Sequence, residues 1–376
     1  MSLFVETDLE PNVVVVPTLG HEVQAGDSLR TFPPSVQPFR VIRGLRREEW
    51  IEYAVALTVG VHLTVLIRLL LDWDGVLGTL LVALLTFVGV HTVILRARST
   101  PEVALDKAIT TIMWTIGFTI IGLLGWMVTF VTIKGMRKLS WSFLTQDLST
   151  VGALDEGGGA YHAIVGTLIQ VGMATVVVIP IAILTAVYLH ELRGRFSILI
   201  RFVVDALSGL PSIVAGLLVF TVLPGYAGYK AAIALFILAL PIVTRTSEEV
   251  LKTVPDSLRE ASLALGAPQW RVVLRVVLPT ARAGLLTAVL LAVARITGET
   301  APVWLTAGIN ASTNYNPFTG PQTSLPVFVF DLIRVPDKVQ NDRAWAGALV
   351  LLIMVMIAFA AARLVLARSE RKLGRR

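Results

Sequence analysis

The chain has 376 residues, of which 55% are hydrophobic and only 15% are charged, and its mean hydropathy is +0.75. Soluble domains carry roughly 25% charged residues, so the composition excludes a single water-soluble globule and favours a membrane-embedded chain. The absence of cysteine excludes disulfides, thiolate metal sites and cysteine nucleophiles. The net charge of +6 would suggest nucleic acid in a soluble protein, but in a membrane protein the placement of charges matters more.

Residues 1–50 are polar and contain several prolines, and they predict a disordered tail. They lack the basic start and apolar core of a secretory signal, so we expect the first hydrophobic segment to remain in the mature protein. Eight apolar stretches follow, and each predicts a membrane-spanning helix because open sheet edges cannot be satisfied in lipid. These stretches are 53–71, 75–95, 108–133, 161–189, 202–223, 226–244, 283–305 and 344–364.

Glycine and proline interrupt the sixth stretch at Gly225, Gly228 and Pro241. In the fifth stretch, Asp205 and Arg201 lie one helical turn apart, and we interpret them as a structural ion pair near the cytoplasmic end of that span.

The distribution of basic residues predicts the orientation. Alternate connections, counted with the two ends of the chain, carry 23 Lys and Arg on one side and 7 on the other. The positive-inside rule therefore predicts that both termini lie in the cytoplasm. It makes 134–160 and 308–343 outer loops, and it places the long polar stretch 246–280 inside.

This inner loop has the signals of two short helices. Asp256 or Ser257 can cap the first helix, and Gly266 permits the left-handed turn that ends it. Pro268 suits the first turn of a second helix, which Pro279 is expected to stop. Two such helices form a projecting knob that can dock in a groove of a partner. The sequence has no Gly-Lys dipeptide and hence no P-loop. The chain therefore cannot supply its own ATPase of this type, and such an ATPase would have to be a separate polypeptide.

The seventh stretch contains two ionisable residues, Arg295 and Glu299. Charges inside a span are costly and are functional candidates by default, and the i, i+4 spacing predicts that both lie on one helix face. Pro302 weakens the helix nearby and leaves the hydroxyls of Thr297 and Thr300 available to a substrate. A guanidinium matches the geometry of an oxyanion such as phosphate. The carboxylate can accept the proton of a hydrogen phosphate, which sulfate does not offer.

Three motifs carry a family resemblance. Residues 260–279 resemble the EAA loop of ABC-importer permeases, with Ser262 and Val276 as departures from the usual Ala and Ile. The segment Arg-x-x-Gly-Glu-Thr-Ala-Pro from Arg295, together with Leu-Ser-Gly-Leu-Pro-Ser-Ile-Val-Ala-Gly at 207–216, is similar to the PstA-type permeases of phosphate ABC importers. The resemblance covers about 108–366.

The apolar stretches predict an all-α polytopic membrane protein with about eight transmembrane helices, and the resemblance implies a six-helix permease core from which the first two spans depart. The type I importer core of six helices would occupy 99–368, after the tail 1–50 and a two-helix extension, 51–98, and before a basic cytoplasmic tail, 369–376. Such a protein is a multi-pass component of the bacterial inner membrane.

The resemblance also assigns roles and partners. It implies that Arg295, Glu299 and Arg245 are important for transport, and we add Thr297 and Thr300 to the predicted substrate path. The residues predicted to couple to the ATPase are Glu260, Ala261, Ser262, Gly266, Leu278 and Pro279. The expected partners are a PstC-type permease, a PstB-type ATPase dimer and a PstS-type phosphate-binding protein. The chain itself is expected to be no enzyme and to hold no cofactor or metal, with ATP bound by the ATPase.

Three alternatives remain open from the sequence. A permease for another oxyanion, such as sulfate or molybdate, shares the EAA loop. An ion-coupled secondary transporter would use Arg295 and Glu299 as a proton relay. In a non-transporting membrane scaffold for phosphate sensing, Arg295→Ala would leave uptake intact.

Overall fold

The computed structural model describes residues 47–72, 75–152, 155–192 and 194–373, and these parts contain helices and no strand. Residues 1–46 of the predicted tail and 374–376 of the predicted basic tail lie outside the described residues. The helices are α1 Arg47–Leu71, α2 Val76–Arg98, α3 Pro101–Gly135, α4 Trp141–Thr145, α5 Tyr161–Val187, α6 Ser197–Ser208, α7 Ser212–Val222, α8 Gly228–Lys252, α9 Asp256–Ala264, α10 Gln269–Val272, α11 Leu278–Thr297, α12 Ala301–Ala307, α13 Leu325–Ile333 and α14 Lys338–Leu373. Two π-helical turns, Tyr188–Leu192 and Val273–Val277, extend α5 and join α10 to α11.

The predicted all-α membrane fold is confirmed. Among the described residues, 7 helical stretches are long and apolar enough to cross a membrane, and α6 with α7 makes an eighth if the bent pair is one span. The fifth span was expected to be continuous, but the chain turns by 105° between α6 and α7. The bend falls at Gly209–Pro211 because proline lacks an N–H and disfavours a helical residue before it.

The sixth and seventh spans also differ from expectation. Helix α8 continues through Pro241 without interruption. In its most apolar stretch of 18 residues, 61% is buried, so neighbouring helices support it on several sides. Helix α11 starts earlier than expected, at Leu278, and ends at Thr297. Pro302 then lies in the first turn of the separate helix α12, where its missing N–H costs nothing.

The described residues divide into two compact units, with the boundary between Gly117 and Phe118. In the first unit, α1 and α2 approach closely at Gly60, where an added Cβ would lie 3.0 Å from the Cα of Phe87. The hydroxyls of Thr64 and Thr86 lie 2.8 Å apart across the same contact. Small residues and interhelical hydroxyl bonds are the usual means by which helices associate in lipid.

The second unit is built around α8, which packs against α5 and α11. Its main apolar core contains Val178 of α5, Leu235 of α8, Ile296 of α11 and Val303 of α12, all buried. Helices α7 and α12 touch at Gly216, where an added Cβ would lie 2.6 Å from the Cα of Pro302. The fold therefore brings the 207–216 motif onto the Arg295 motif.

The stretch 308–343 is not the simple polar loop that its composition predicts. It contains α13 and the start of α14, and its segment Gln322–Leu325 is buried. The side-chain amide of Gln170 donates to the Gln322 carbonyl at 2.8 Å, which satisfies polar backbone inside the bundle.

Asp147, in the loop 134–160, accepts hydrogen bonds from Ser149 and from Thr313 of the stretch 308–343. Burial raises the pKa of Asp147, but these hydrogen bonds outweigh it and lower that pKa to about 2.

We predict that Gly216→Val disrupts the packing of α7 on α12, because the added side chain meets the backbone of Pro302. Overpacking of this kind costs roughly 1–3 kcal/mol. The purified variant should unfold at a lower temperature than the unmodified protein. Gly172→Val in α5 is the matched control, since nothing lies within 4 Å of the Cβ position there. Equal melting temperatures for the two variants would contradict the close contact.

Candidate functional site

A cavity of about 440 Å³ lies beside the α6–α7 bend, and residues of three separate sequence regions line it. One wall comes from 207–212, a second from α8 around Arg245, and a third from Arg295 near the end of α11 and Glu299 just after it. The structure thus brings together three of the five residues predicted to form a substrate path. Helices α8 and α11 are consecutive spans and run in opposite directions.

Arg295 and Glu299 form an ion pair, with 2.6 Å between Nη1 of Arg295 and Oε1 of Glu299. The prediction that both lie on one helix face is wrong, because α11 ends at Thr297 and Glu299 lies in the break before α12. The two side chains differ in exposure, at 63% for Arg295 and 8% for Glu299. A buried carboxylate therefore holds an exposed guanidinium that lines the cavity.

The second cavity arginine also has a carboxylate partner. Arg245 of α8 pairs with Asp205 of α6, a contact between helices that the sequence did not indicate. The expected pair of Asp205 with Arg201 is wrong. Arg201 instead binds Glu248 of α8 at 2.7 Å. Adjacent turns of α6 thus carry one positive and one negative charge, and each pairs with the opposite charge on α8. These two pairs between helices form in place of the expected pair within α6.

Thr297 and Thr300 do not line this cavity. The Thr297 hydroxyl donates to the Val293 carbonyl at 2.6 Å, and the residue faces a separate apolar groove of about 310 Å³ between α5, α11 and α14. Thr300 precedes the first turn of α12, and its side chain makes no capping hydrogen bond. Neither threonine therefore lines the cavity with Arg245 and Arg295, where the sequence predicted both.

The predicted knob is present and projects from the bundle. None of the described residues of α9 is buried, and Leu265 and Trp270 are exposed. Gly266 adopts φ of +78°, which is the left-handed conformation expected of it. Glu260, Ala261 and Ser262 lie on α9, whereas Leu278 and Pro279 lie at the start of α11.

Two local predictions for the knob are wrong. Neither Asp256 nor Ser257 caps α9, because Pro255 occupies the capping position. Pro279 does not stop the second helix. The chain passes through the π-helical turn Val273–Val277 and continues as α11. Pro279 lies in the first turn of α11, directly after the π-helical turn, where its missing N–H costs little.

A buried ion pair fastens the knob to the end of α5, and sequence reasoning missed it. Arg259 of α9 binds Glu191 of the π-helical turn, with 2.9 Å between Nη2 and Oε1, and both side chains are largely buried. Arg259 also donates to the Asp256 carboxylate and to the Leu251 carbonyl. The Gln269 side-chain amide donates to the Glu191 backbone carbonyl at 2.9 Å. Both short helices of the knob, α9 and α10, are therefore bonded to Glu191. No spacing rule links residues 68 positions apart in the chain.

The bundle, the charged cavity within it and the exposed knob define a membrane permease subunit of the kind that moves a solute between helices. Residues 178–375 match the model of the family described as binding-protein-dependent transport system inner membrane component, and the chain belongs to this family.

Curated relatives carry more specific names. The chain is 41% identical over 256 residues to the "Phosphate transport system permease protein PstA 1" of Mycobacterium tuberculosis, covering 65% of this chain and 83% of that protein. It is 38% identical over 239 residues to the PstA of the phosphate transport system of Pasteurella multocida, covering 62% of this chain and 84% of that protein. A chain of the inward-facing MetNI methionine ABC transporter matches with a TM-score of 0.44 and 22% identity, covering 56% of this chain and 94% of that chain.

We predict that Glu191→Ala loosens the knob, because it removes the buried partner of Arg259. The loss should be about 1–3 kcal/mol, since Arg259 keeps its other acceptors. Hydrogen exchange of the amides in 256–272 should become faster. Asp256→Ala is the matched control, because its carboxylate binds the same arginine but is 87% exposed. The interpretation is wrong if the two variants exchange equally fast.

Proposed function

We propose that this chain is the permease subunit of an ATP-driven importer of inorganic phosphate. The observation that carries the proposal is the cavity in which Arg245, Arg295 and Glu299 meet, in a chain whose curated relatives are named as phosphate transport permeases. Those names favour phosphate over sulfate or molybdate. The chain would supply half of the translocation path, and a PstC-type permease would supply the other half.

The cavity suits a hydrogen phosphate ion. Each guanidinium presents planar donors that match two phosphate oxygens at once. Both arginines are more than half exposed, at 52% for Arg245 and 63% for Arg295, so their donors can reach a solute. Glu299 can accept a hydrogen bond from the P–OH group of hydrogen phosphate, whereas a fully deprotonated sulfate has no O–H to donate. The site thus supports binding without bond chemistry in this subunit.

The knob is the proposed contact with a PstB-type ATPase dimer. It joins the end of α8, which carries Arg245, to α11, which carries Arg295. A displacement of the knob would therefore move both arginine-bearing helices and change which side of the membrane the cavity faces. In this arrangement both termini and the knob lie in the cytoplasm, and a PstS-type phosphate-binding protein delivers phosphate from the other side.

We predict that Arg295→Gln stops phosphate uptake while the assembled transporter can still be purified. The substitution removes the guanidinium from its charged contact with phosphate. Loss of one partner of such a contact costs about 2 kcal/mol or more, so uptake should fall at least about thirtyfold. The measurement is uptake of radiolabelled phosphate in cells that lack their own permease, with assembly followed by co-purification of the ATPase.

Two further variants isolate the cause. Arg334→Gln replaces an exposed arginine outside the cavity and should transport normally. Arg295→Lys keeps the charge but loses the planar fork, so it should retain partial uptake. Normal uptake by Arg295→Gln, or equal inhibition by phosphate and sulfate in the unmodified transporter, would refute the proposal.

We predict that Gly266→Trp prevents ATPase binding or coupling without preventing membrane insertion. The residue is exposed with positive φ, so a bulky side chain both strains the turn and obstructs the surface of the knob. Gly266→Asn is the control, because asparagine is small and tolerates the left-handed conformation. Co-purified ATPase and phosphate-stimulated ATP hydrolysis are the measurements. If Gly266→Trp behaves like Gly266→Asn in both, the knob is not the coupling surface.

A further inference from the structure

Two ion pairs connect α6 to α8 beside the cavity. Arg201 and Asp205 lie one turn apart on α6, and their partners Glu248 and Arg245 lie one turn apart on α8. The signs alternate, so each helix presents one positive and one negative charge to the other. Only Arg245, among these four residues, lines the cavity.

The pairs differ in burial. Glu248 is 8% exposed, and its partner Arg201 also donates to the Leu189 carbonyl at 3.2 Å. By contrast, the Asp205 and Arg245 side chains are 60% and 52% exposed. A pair with a buried carboxylate is costly to break, whereas a pair exposed on both sides is weak and exchanges readily with other ions. The first pair can therefore hold α6 on α8 when the second is open.

We propose that Asp205 is a displaceable counter-ion that occupies Arg245 until phosphate takes its place. This inference rests on the proposed function. A carboxylate and a phosphate use the same guanidinium donors, so the two compete for Arg245. Glu299 differs from Asp205, because it is buried at 8% exposure and stays beside its own arginine.

The exchange of Asp205 for phosphate at Arg245 would help both the binding and the release of the ion. A path must bind its ion firmly enough to admit it and weakly enough to release it. Asp205 lowers the net affinity of Arg245 for phosphate and returns when the ion leaves. The α6–α7 bend lies only four residues after Asp205, so release of this pair also frees the end of α6 next to the bend.

The test uses the purified complex of the permeases and the ATPase, without the binding protein, and measures equilibrium binding of radiolabelled phosphate. Asp205→Asn should bind phosphate about two- to fivefold more tightly, because an exposed competing charge has been removed. The same variant, reconstituted in liposomes with the binding protein, should transport phosphate with a lower maximal rate. Asp205→Glu restores the charge and should return both values toward those of the unmodified complex.

Glu249→Gln is the matched control. Glu249 is an exposed carboxylate on α8 that pairs with Lys252 at 2.6 Å and does not line the cavity. This variant should leave phosphate binding unchanged.

Three results would overturn the inference. Weaker phosphate binding by Asp205→Asn would mean that Asp205 helps to hold the ion. A lower melting temperature with unchanged affinity would mean that Asp205 only fastens α6. Unchanged affinity and rate would leave Asp205 without a role in the exchange. An unmodified complex that neither binds nor transports phosphate would instead refute the proposed function, and this inference with it.

Discussion

Two arginine side chains that line a cavity within a largely apolar helical bundle impose the constraint on which the site depends. A guanidinium in such surroundings is costly unless a carboxylate or a solute neutralises it. The fold provides one carboxylate for each arginine, Glu299 for Arg295 and Asp205 for Arg245. Both carboxylates lie close to places where a helix ends or bends, since Glu299 follows α11 and Asp205 precedes the α6–α7 bend. Each pair thus lies beside irregular backbone at the cavity.

The cavity and the knob belong to one continuous segment of chain. Helix α8 leads into α9, and α10 leads through a π-helical turn into α11, so the knob lies between the two helices that carry the arginines. The buried bond of Arg259 to Glu191 adds α5 to this assembly. A partner that moves the knob therefore acts on three helices of the core, two of which line the proposed phosphate path.

Sequence reasoning succeeded where local chemistry decides the result. Hydrophobic stretches of sufficient length predicted the spans, because lipid allows few other structures. Gly266 predicted its left-handed turn, because other residues rarely adopt that conformation. Charges in an apolar stretch are rare and expensive, which made Arg295 and Glu299 candidates; both line the cavity, and their role in transport stays a prediction.

The sequence by itself therefore determined the class of fold, the existence of the knob and the charged residues of interest. Only the tertiary structure decided how these charges pair, that α8 continues through Pro241 and that Thr297 faces another groove. It also decided that Glu191 holds Arg259 and that Gly216 packs on Pro302. The physical reason is that helix formation and burial follow from neighbouring residues. Ion pairs and close contacts between helices depend instead on which distant segments the fold brings together.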